Sequence, residues 1–339
     1  MRNNQLVWLG CCTVVLLVLI KMFLFPLTGM MTMEQWKEKR QEGVAEYIEE
    51  QRKQKAENDA AWRAPDVQLP SRYENNLSPE AELDRIWKYV NERQYNCNES
   101  EYLGGRPLDR DGAYDLCIED KFWPVRKNPD QKCLMYSFGV GNDWSFDDEI
   151  AKRGCEVHAF DPSMDRLDDS PLGDHGVRFH KIGISGTDID KDANGWKMRT
   201  FSTLLKELGH NGRWMDYLKV DTDAPGGGGF EDMIMQELLD TGLYSCVRQY
   251  SMEIHLMGPL TQKRWLDRSR NIYNQMTQLN DHGWRLYNKT DNVRAAKIVL
   301  KRPDFSQDEM RPRALNGAEE ILWETSFVNF DVKGPCLVK

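Results

Sequence analysis

Positive charge is scarce in this chain: 45 Lys and Arg face 54 Asp and Glu, for a net charge of -9. Phosphate backbones are bound by basic surfaces, so nucleic acid is excluded as the main partner. No internal repeat is visible, which removes solenoids and propellers. No G-x-S-x-G turn occurs, so a serine nucleophile elbow is absent. The six histidines show no metal-ligand spacing, and no Cys/His cluster has the zinc pattern; no resident metal is expected. What remains is a chain of 339 residues, long enough for one sizeable domain with appendages.

The stretch 132–163 reads KCLMYSFGVGNDWSFDDEIAKRGCEVHAFDPS. An apolar run at 133–138 ends in a Gly-x-Gly turn, Gly139 and Gly141. Ser145 then opens a helix, with Asp148 as its capping-box partner, and a second apolar run at 155–160 ends at Asp161. Strand, glycine turn, helix, strand and acid make a βαβ unit suited to a nucleoside, with Asp161 placed for ribose hydroxyls. The third glycine of the dinucleotide fingerprint is missing. Asp143, Asp147, Asp148 and Glu149 crowd the helix start, where a pyrophosphate would have to sit. S-adenosylmethionine carries the same adenosine without phosphate and with cationic groups, so an acidic pocket suits it.

Residues 6–27 are almost wholly apolar, interrupted by Lys21, and long enough to cross a bilayer. An uncut signal anchor is expected at 1–28; a cleaved signal peptide giving a secreted form is the rival, but no A-x-A-like site follows. Residues 29–79 read as a charged helical stem and a proline-bearing linker, and 80–339 as the catalytic domain. Six cysteines lie outside the span, and Asn76, Asn98 and Asn288 each begin a glycosylation triplet. Together these favour a single-pass type II protein of the ER/Golgi with its body in the lumen, a membrane-bound glycoprotein. Cys97 and Cys117 are the best disulfide pair; Cys133, Cys155 and Cys246 sit in strand-like runs and read as buried thiols.

Strands and helices continue to alternate: a strand at 178–184, a helix at 200–208, a strand at 217–220, a helix at 230–241, a strand within 245–256 and a long helix at 261–281. Runs at 284–287, 295–300 and 326–330 look like late strands, the last pair antiparallel. Residues 80–92 form an amphipathic helix in front of the domain. This pattern predicts an α/β, Rossmann-like, doubly wound and mostly parallel sheet whose ligands bind at the carboxyl ends of the strands. Gly139, Asp161, Ser185 and Asp221 all fall at such ends. Asp221 and Asp223 also form the D-x-D pattern with which glycosyltransferases hold a metal and a sugar nucleotide. Glu253 and His255 alternate on one strand, share a face, and are candidate general bases.

The run YSFGVGNDWSFDDEIAKRGCEVHAFDPS, with GGRPLDRDGAYDLC before it and HKIGISG, LKVD, MEIHL, GWRLYNKTDN and ETSFVNF after it, resembles the family of methyltransferase-like protein 24 and its relatives, which are placed with the FkbM-type S-adenosylmethionine-dependent methyltransferases. The likeness spans roughly residues 97–330. It implies a class I methyltransferase fold, a cofactor turn at Gly139 and Gly141, a ribose ligand in Asp161, an adenine neighbour at 183–185 that includes Ser185, and Asp221 near the methionine moiety or the acceptor. The sequence departs from the FkbM Asp-x-Glu-Gly pattern: Asp223 and Ala224 follow Asp221 where Glu and Gly are usual.

The resulting expectation is a lumen-facing S-adenosylmethionine-dependent methyltransferase, acting on an oxygen of a glycan, small alcohol or protein side chain. The catalytic candidates are Asp221, Glu253 and His255, and the cofactor candidates Gly139, Gly141, Asp161, Ser185 and Asp221. A Golgi-type glycosyltransferase using Asp221 and Asp223, or an inactive methyltransferase-like protein, are the alternatives.

Overall fold

A computed structural model of the chain describes residues 71, 77–105, 111–126, 132–166, 170–224, 227–256, 258–292, 315 and 321–338. The chain divides into two compact units, Met1–Glu57 and Asn58–Lys339, and every described residue belongs to the second. The expected anchor at 1–28 and, apart from residues 71 and 77–79, the stem and linker at 29–79 lie outside the described residues. Among those described, no helix is long and apolar enough to cross a membrane.

Ser78 caps helix α1 (Pro79–Asn91), its hydroxyl accepting from Ala81 N, with Pro79 in the first turn. An antiparallel pair follows, β1 (Ser100–Leu103) and β2 (Tyr114–Cys117). The expected βαβ unit is β3 (Leu134–Phe138), α2 (Ser145–Lys152) and β4 (Glu156–Phe160). Next come β5 (Ser170–Leu172), β6 (Val177–His180), β7 (Gly183–Ile184), β8 (Met198–Arg199) and α3 (Phe201–Glu207). The chain continues through β9 (Met215–Val220), α4 (Glu231–Thr241), β10 (Val247–Leu256), α5 (Lys263–Asp281), β11 (Trp284–Asn292) and β12 (Ile321–Asn329).

Eight strands form one sheet in the order β11-β12-β10-β9-β3-β4-β6-β5. The five from β10 to β6 run parallel, while β12 is antiparallel to both its neighbours and β5 to β6. Strand alternation sends Leu134, Tyr136 and Phe138 into a core shared with α1, α3, α4 and α5, and Cys133 and Met135 into a second core with α2 and the β1–β2 pair. Helices therefore cover both faces, as the Rossmann-like reading requires. Sequence order reverses at β3, flanked by β4 and β9, and the crevice above such a reversal is where ligands bind.

Several expectations are corrected. The strand expected at 178–184 is broken: β6 ends at His180, whose carbonyl accepts from Asp161 N, and β7 pairs with β8 in a separate sheet. Ser185 thus follows a strand outside the main sheet. The cap of α2 is Trp144, not Ser145; Asp148 faces away and accepts from Asp174 N and His175 N. The strand expected at 284–287 runs on to Asn292, and the one expected at 295–300 lies outside the described residues. Cys97–Cys117 is a disulfide as expected, but Cys133–Cys155 and Cys246–Cys336 are disulfides too, not buried thiols. The parallel pairing of β3 and β4 brings Cys133 and Cys155 to a Cα separation of 4.4 Å, and backbone bonds from Cys336 N to Arg213 O and Gly212 N to Cys336 O dock the last cysteine near Cys246.

Candidate functional site

The glycine turn sits directly above β3. Gly139 has φ +78°, and a Cβ there would fall 1.6 Å from the Asp221 carbonyl oxygen, so only glycine fits between the ends of β3 and β9. Gly141 has φ +53° and faces open space: a Cβ would meet nothing within 4 Å. Its N–H donates to Asp161 Oδ2 at 2.8 Å, while Asp161 Oδ1 accepts from Ser163 N at 2.8 Å and Ser163 Oγ at 2.6 Å. Asp161 therefore ties the glycine turn to the end of β4. An ionised carboxylate has about four acceptor positions, so these three bonds leave one for a ribose hydroxyl.

The start of α2 is closed to anions. Gly104 lies so close that a Cβ on it would come within 2.5 Å of Phe146 N. Asp147 is fully buried, and burial raises its pKa against the pull of nearby Lys219. Asp143 Oδ2 and Ser145 Oγ, also buried, meet no partner in hydrogen-bonding geometry. Unspent acceptors and no exposed helix terminus suit a cationic or neutral ligand, not a pyrophosphate. S-adenosylmethionine fits this chemistry.

Across β3 the crevice is lined by charge. Lys219, on β9, is buried, with Nζ 3.3 Å from Asp221 Oδ2 and 3.4 Å from Gly139 O. Burial pulls its pKa down, but Asp221, Asp147 and Glu324 outweigh this and hold it above the usual value. On β10, burial and the nearby Asp221 charge push Glu253 up to about 7. His255 is 1% exposed; its Nε2 lies 3.1 Å from Glu253 Oε2 and 3.3 Å from Asp223 Oδ1, and its Nδ1 3.6 Å from Glu231 Oε1. None of these contacts is aligned as a hydrogen bond. Burial disfavours the cation, yet the surrounding carboxylates win and raise the His255 pKa well above normal. Glu231 is fixed in turn by Arg268 at 2.8 Å and by the backbone N–H of His255, which donates to Oε1 at 2.9 Å.

The structure thus gathers Gly139, Gly141, Asp161, Asp221, Glu253 and His255 around the ends of β3, β4, β9 and β10. It leaves Ser185 on β7–β8, where its backbone N–H donates to Arg199 O. Asp221 and Asp223, the D-x-D pair, have different partners: one leans on Lys219 and the other, 98% exposed, on His255. A groove of about 580 Å³, lined by Gly186, Thr200, Met233 and Gln275 among others, holds none of the expected site residues.

Four residues were not expected at the site. Lys219 had a signal, since K-x-D on a strand puts both side chains on one face. Asp111, Asn292 and Glu324 had none, because they arrive from distant parts of the sequence. Asn292 Nδ2 donates to both Asp111 Oδ1 and Glu253 Oε1 at 2.8 Å. Glu324 lies directly across from Glu253 in the β10–β12 register.

A family model described as a methyltransferase domain matches residues 51–300. The chain belongs to this methyltransferase family. S-adenosylmethionine is the cofactor that this membership supports. The human and rat proteins named probable methyltransferase-like protein 24 are 26% and 25% identical to the chain, over 68% of it in each case. The chain spans 63% of the length of each of these relatives. Among solved structures, a cyclopropane-fatty-acyl-phospholipid synthase-like protein from Lactobacillus casei is 12% identical, covering 62% of this chain and 89% of its own, with a TM-score of 0.28. The plantazolicin methyltransferase BpumL, solved in complex with SAH, is 11% identical, covering 62% and 80%, with a TM-score of 0.27.

Proposed function

We propose that the chain transfers a methyl group from S-adenosylmethionine to an oxygen of a glycan, small alcohol or protein side chain. The observation that carries this reading is the glycine turn locked to Asp161 at the point where strand order reverses, with no open anion site beside it. Gly139 and Gly141 bring the backbone close to the cofactor, and the free acceptor position of Asp161 takes a ribose hydroxyl. When bound, S-adenosylmethionine supplies an electrophilic methyl group on a cationic sulfur. Asp221 and Glu253 provide the carboxylates on the acceptor side of the crevice, and Asp221 can take the acceptor's proton. The surrounding carboxylates raise the His255 pKa and favour its cationic form, which suits it to keep Asp223, Glu231 and Glu253 in place. Placement of the acceptor in line with the methyl group does the rest.

A lumen-facing body on an N-terminal anchor at 6–27 completes the proposal. Three disulfides support an oxidising compartment. Of the glycosylation triplets, Asn98 is exposed, whereas the Asn288 amide is half-buried and donates to Asp115, so Asn98 is the better acceptor. A catalytically silent protein is the second reading, favoured by Asp223 and Ala224 standing where FkbM-type chains have Glu and Gly.

The test is calorimetric titration of the full 339-residue chain with S-adenosylhomocysteine, and separately with a UDP-sugar plus Mn2+. Saturable binding of S-adenosylhomocysteine is expected. Binding of the sugar nucleotide alone would overturn the reading.

A further inference from the structure

Strand register creates an unusual conflict beside the site. Glu253 of β10 and Glu324 of β12 are paired directly across an antiparallel ladder, 6% and 5% exposed. Like charges directly opposite on neighbouring strands repel, and burial multiplies the cost because water no longer screens them. Asp111 closes the group: one carboxylate oxygen from each of Asp111, Glu253 and Glu324 lies within 4.8 Å of the other two. Both oxygens of Glu324 are buried without a well-aligned hydrogen bond, and their polar neighbour is the Tyr114 hydroxyl, itself buried. Lys219 interacts with Glu324 but is shared with Asp221 and Asp147. His255 is shared with Asp223 and Glu231. Three acidic side chains therefore converge on one point.

We infer that Asp111, Glu253 and Glu324 form a binding site for a hard divalent cation on the acceptor side of the crevice. The donor set is all oxygen, which suits Mg2+, Mn2+ or Ca2+ and not the softer metals that want thiolate or imidazole. Asn292 reinforces the choice. Its amide bridges Asp111 and Glu253 through Nδ2; rotating the amide by half a turn would present Oδ1 to the same point, a fourth oxygen ligand. Three carboxylates and one amide leave coordination positions of a six-coordinate ion open, and an oxygen-bearing acceptor can fill them. Asp221, paired with Lys219, stays outside the group and remains to receive the acceptor's proton. This inference rests on the methyltransferase reading for the acceptor's position, but cation binding is measurable without turnover.

The experiment uses the full chain, stripped with EDTA and titrated with Mn2+ while the free ion is followed by electron paramagnetic resonance; Mg2+ and Ca2+ are added as competitors. The expected result is one saturable site per chain, displaced by excess Mg2+ or Ca2+. Glu324→Gln keeps the size of the side chain and removes one charge, and should weaken Mn2+ binding at least tenfold. Asp165→Asn, on the exposed surface, should leave it unchanged. Circular dichroism of each variant establishes that it is folded. Glu253→Gln serves as the second probe should Glu324→Gln misfold. No saturable Mn2+ binding by the folded wild-type chain, or wild-type affinity in a folded Glu324→Gln or Glu253→Gln chain, would overturn the inference. S-adenosylhomocysteine binding is measured on the same samples. Loss of cation binding with that ligand still bound removes only the metal site, whereas absence of that ligand's binding removes the methyltransferase reading.

Discussion

Among the described residues, three groups bring three metal-ligating side chains within 4.8 Å of one another; one is spent on the Cys97–Cys117 disulfide, and the other two are built on opposite terms. One is Asp111, Glu253 and Glu324; the other is Glu156, His158 and His210. In the second, Glu156 Oε2 accepts from Arg213 at 2.6 Å and Glu156 Oε1 lies 3.2 Å from His158 Nε2. His158 Nδ1 meets His180 Nε2 at 2.8 Å with the rings stacked, and His210 Nδ1 meets the Tyr136 hydroxyl at 2.6 Å. Every named group there has a partner in the protein. In the first cluster, Glu324 has acceptors to spare and a like charge across the ladder. Proximity of ligating groups is common to both; unspent valence belongs to one. A satisfied network rigidifies the core, and an unsatisfied one asks for something from outside.

The largest effect that tests this contrast is a pH effect. Burial, followed by the neighbouring His210 and His180, lowers His158 to about 4 even though Glu156 pulls the other way. The unfolded chain binds that proton near 6.5. The His158 contribution to stability is therefore complete above pH 6.5 and lost as pH falls toward 4, about 3 kcal/mol in all. Urea unfolding at several pH values should show His158→Asn lacking this acid-sensitive part, relative to wild type. An identical pH dependence in the two chains would mean that the cluster is not held neutral.

Next in size is Glu156→Ala. It leaves Arg213 and two histidines facing each other without an anion, at a part-exposed position where the cost is about 2 kcal/mol. Thermal unfolding should fall by several degrees, with Mn2+ affinity untouched. A shift in Mn2+ affinity would make the histidine cluster a metal site after all.

Asp161→Asn addresses the third carboxylate environment, one filled by backbone donors. It weakens the bonds from Gly141 N and Ser163 N and removes the charge offered to ribose, so S-adenosylhomocysteine should bind about tenfold more weakly, or 1.4 kcal/mol. A modest drop in melting temperature should accompany it. A melting drop without any loss of affinity would make Asp161 purely a brace for the turn.

Smallest, and opposite in sign, is Glu324→Gln without added cation. Burial and the Glu253 charge push the Glu324 pKa well up, so replacing this acid by an amide should leave stability unchanged or raise it by up to about 1 kcal/mol. Clear destabilisation would show that Glu324 is satisfied within the protein.

Much of this was legible from local sequence, and the reason is distance along the chain. The glycine turn, Asp161 and the pairing of Glu253 with His255 on one face all follow from patterns a few residues long. The position of Glu324 opposite Glu253 depends on the pairing of strands 71 residues apart, which no periodicity encodes. The same holds for the Cys246–Cys336 disulfide, 90 residues apart. The break at 181–182 was hidden for another reason: both pieces read as strand, and the pairing of the second with Met198 and Arg199, where Gly183 leaves no room for a Cβ beside Met198, has no local signal.

The antiparallel insertion of β12 between β10 and β11 also sets an order of events during synthesis. Among the described residues, the sheet partner of β11 is β12, so residues 284–292 leave the ribosome before the strand they pair with and wait for residues 321–329. Until then β10 presents an open edge, and Glu253 meets water in place of a second carboxylate. The charge conflict at the crevice is thus written into the last strand to be laid down. A nascent chain interrupted before residue 321 would lose two strands, not one, and would expose the kind of unpaired edge that invites aggregation.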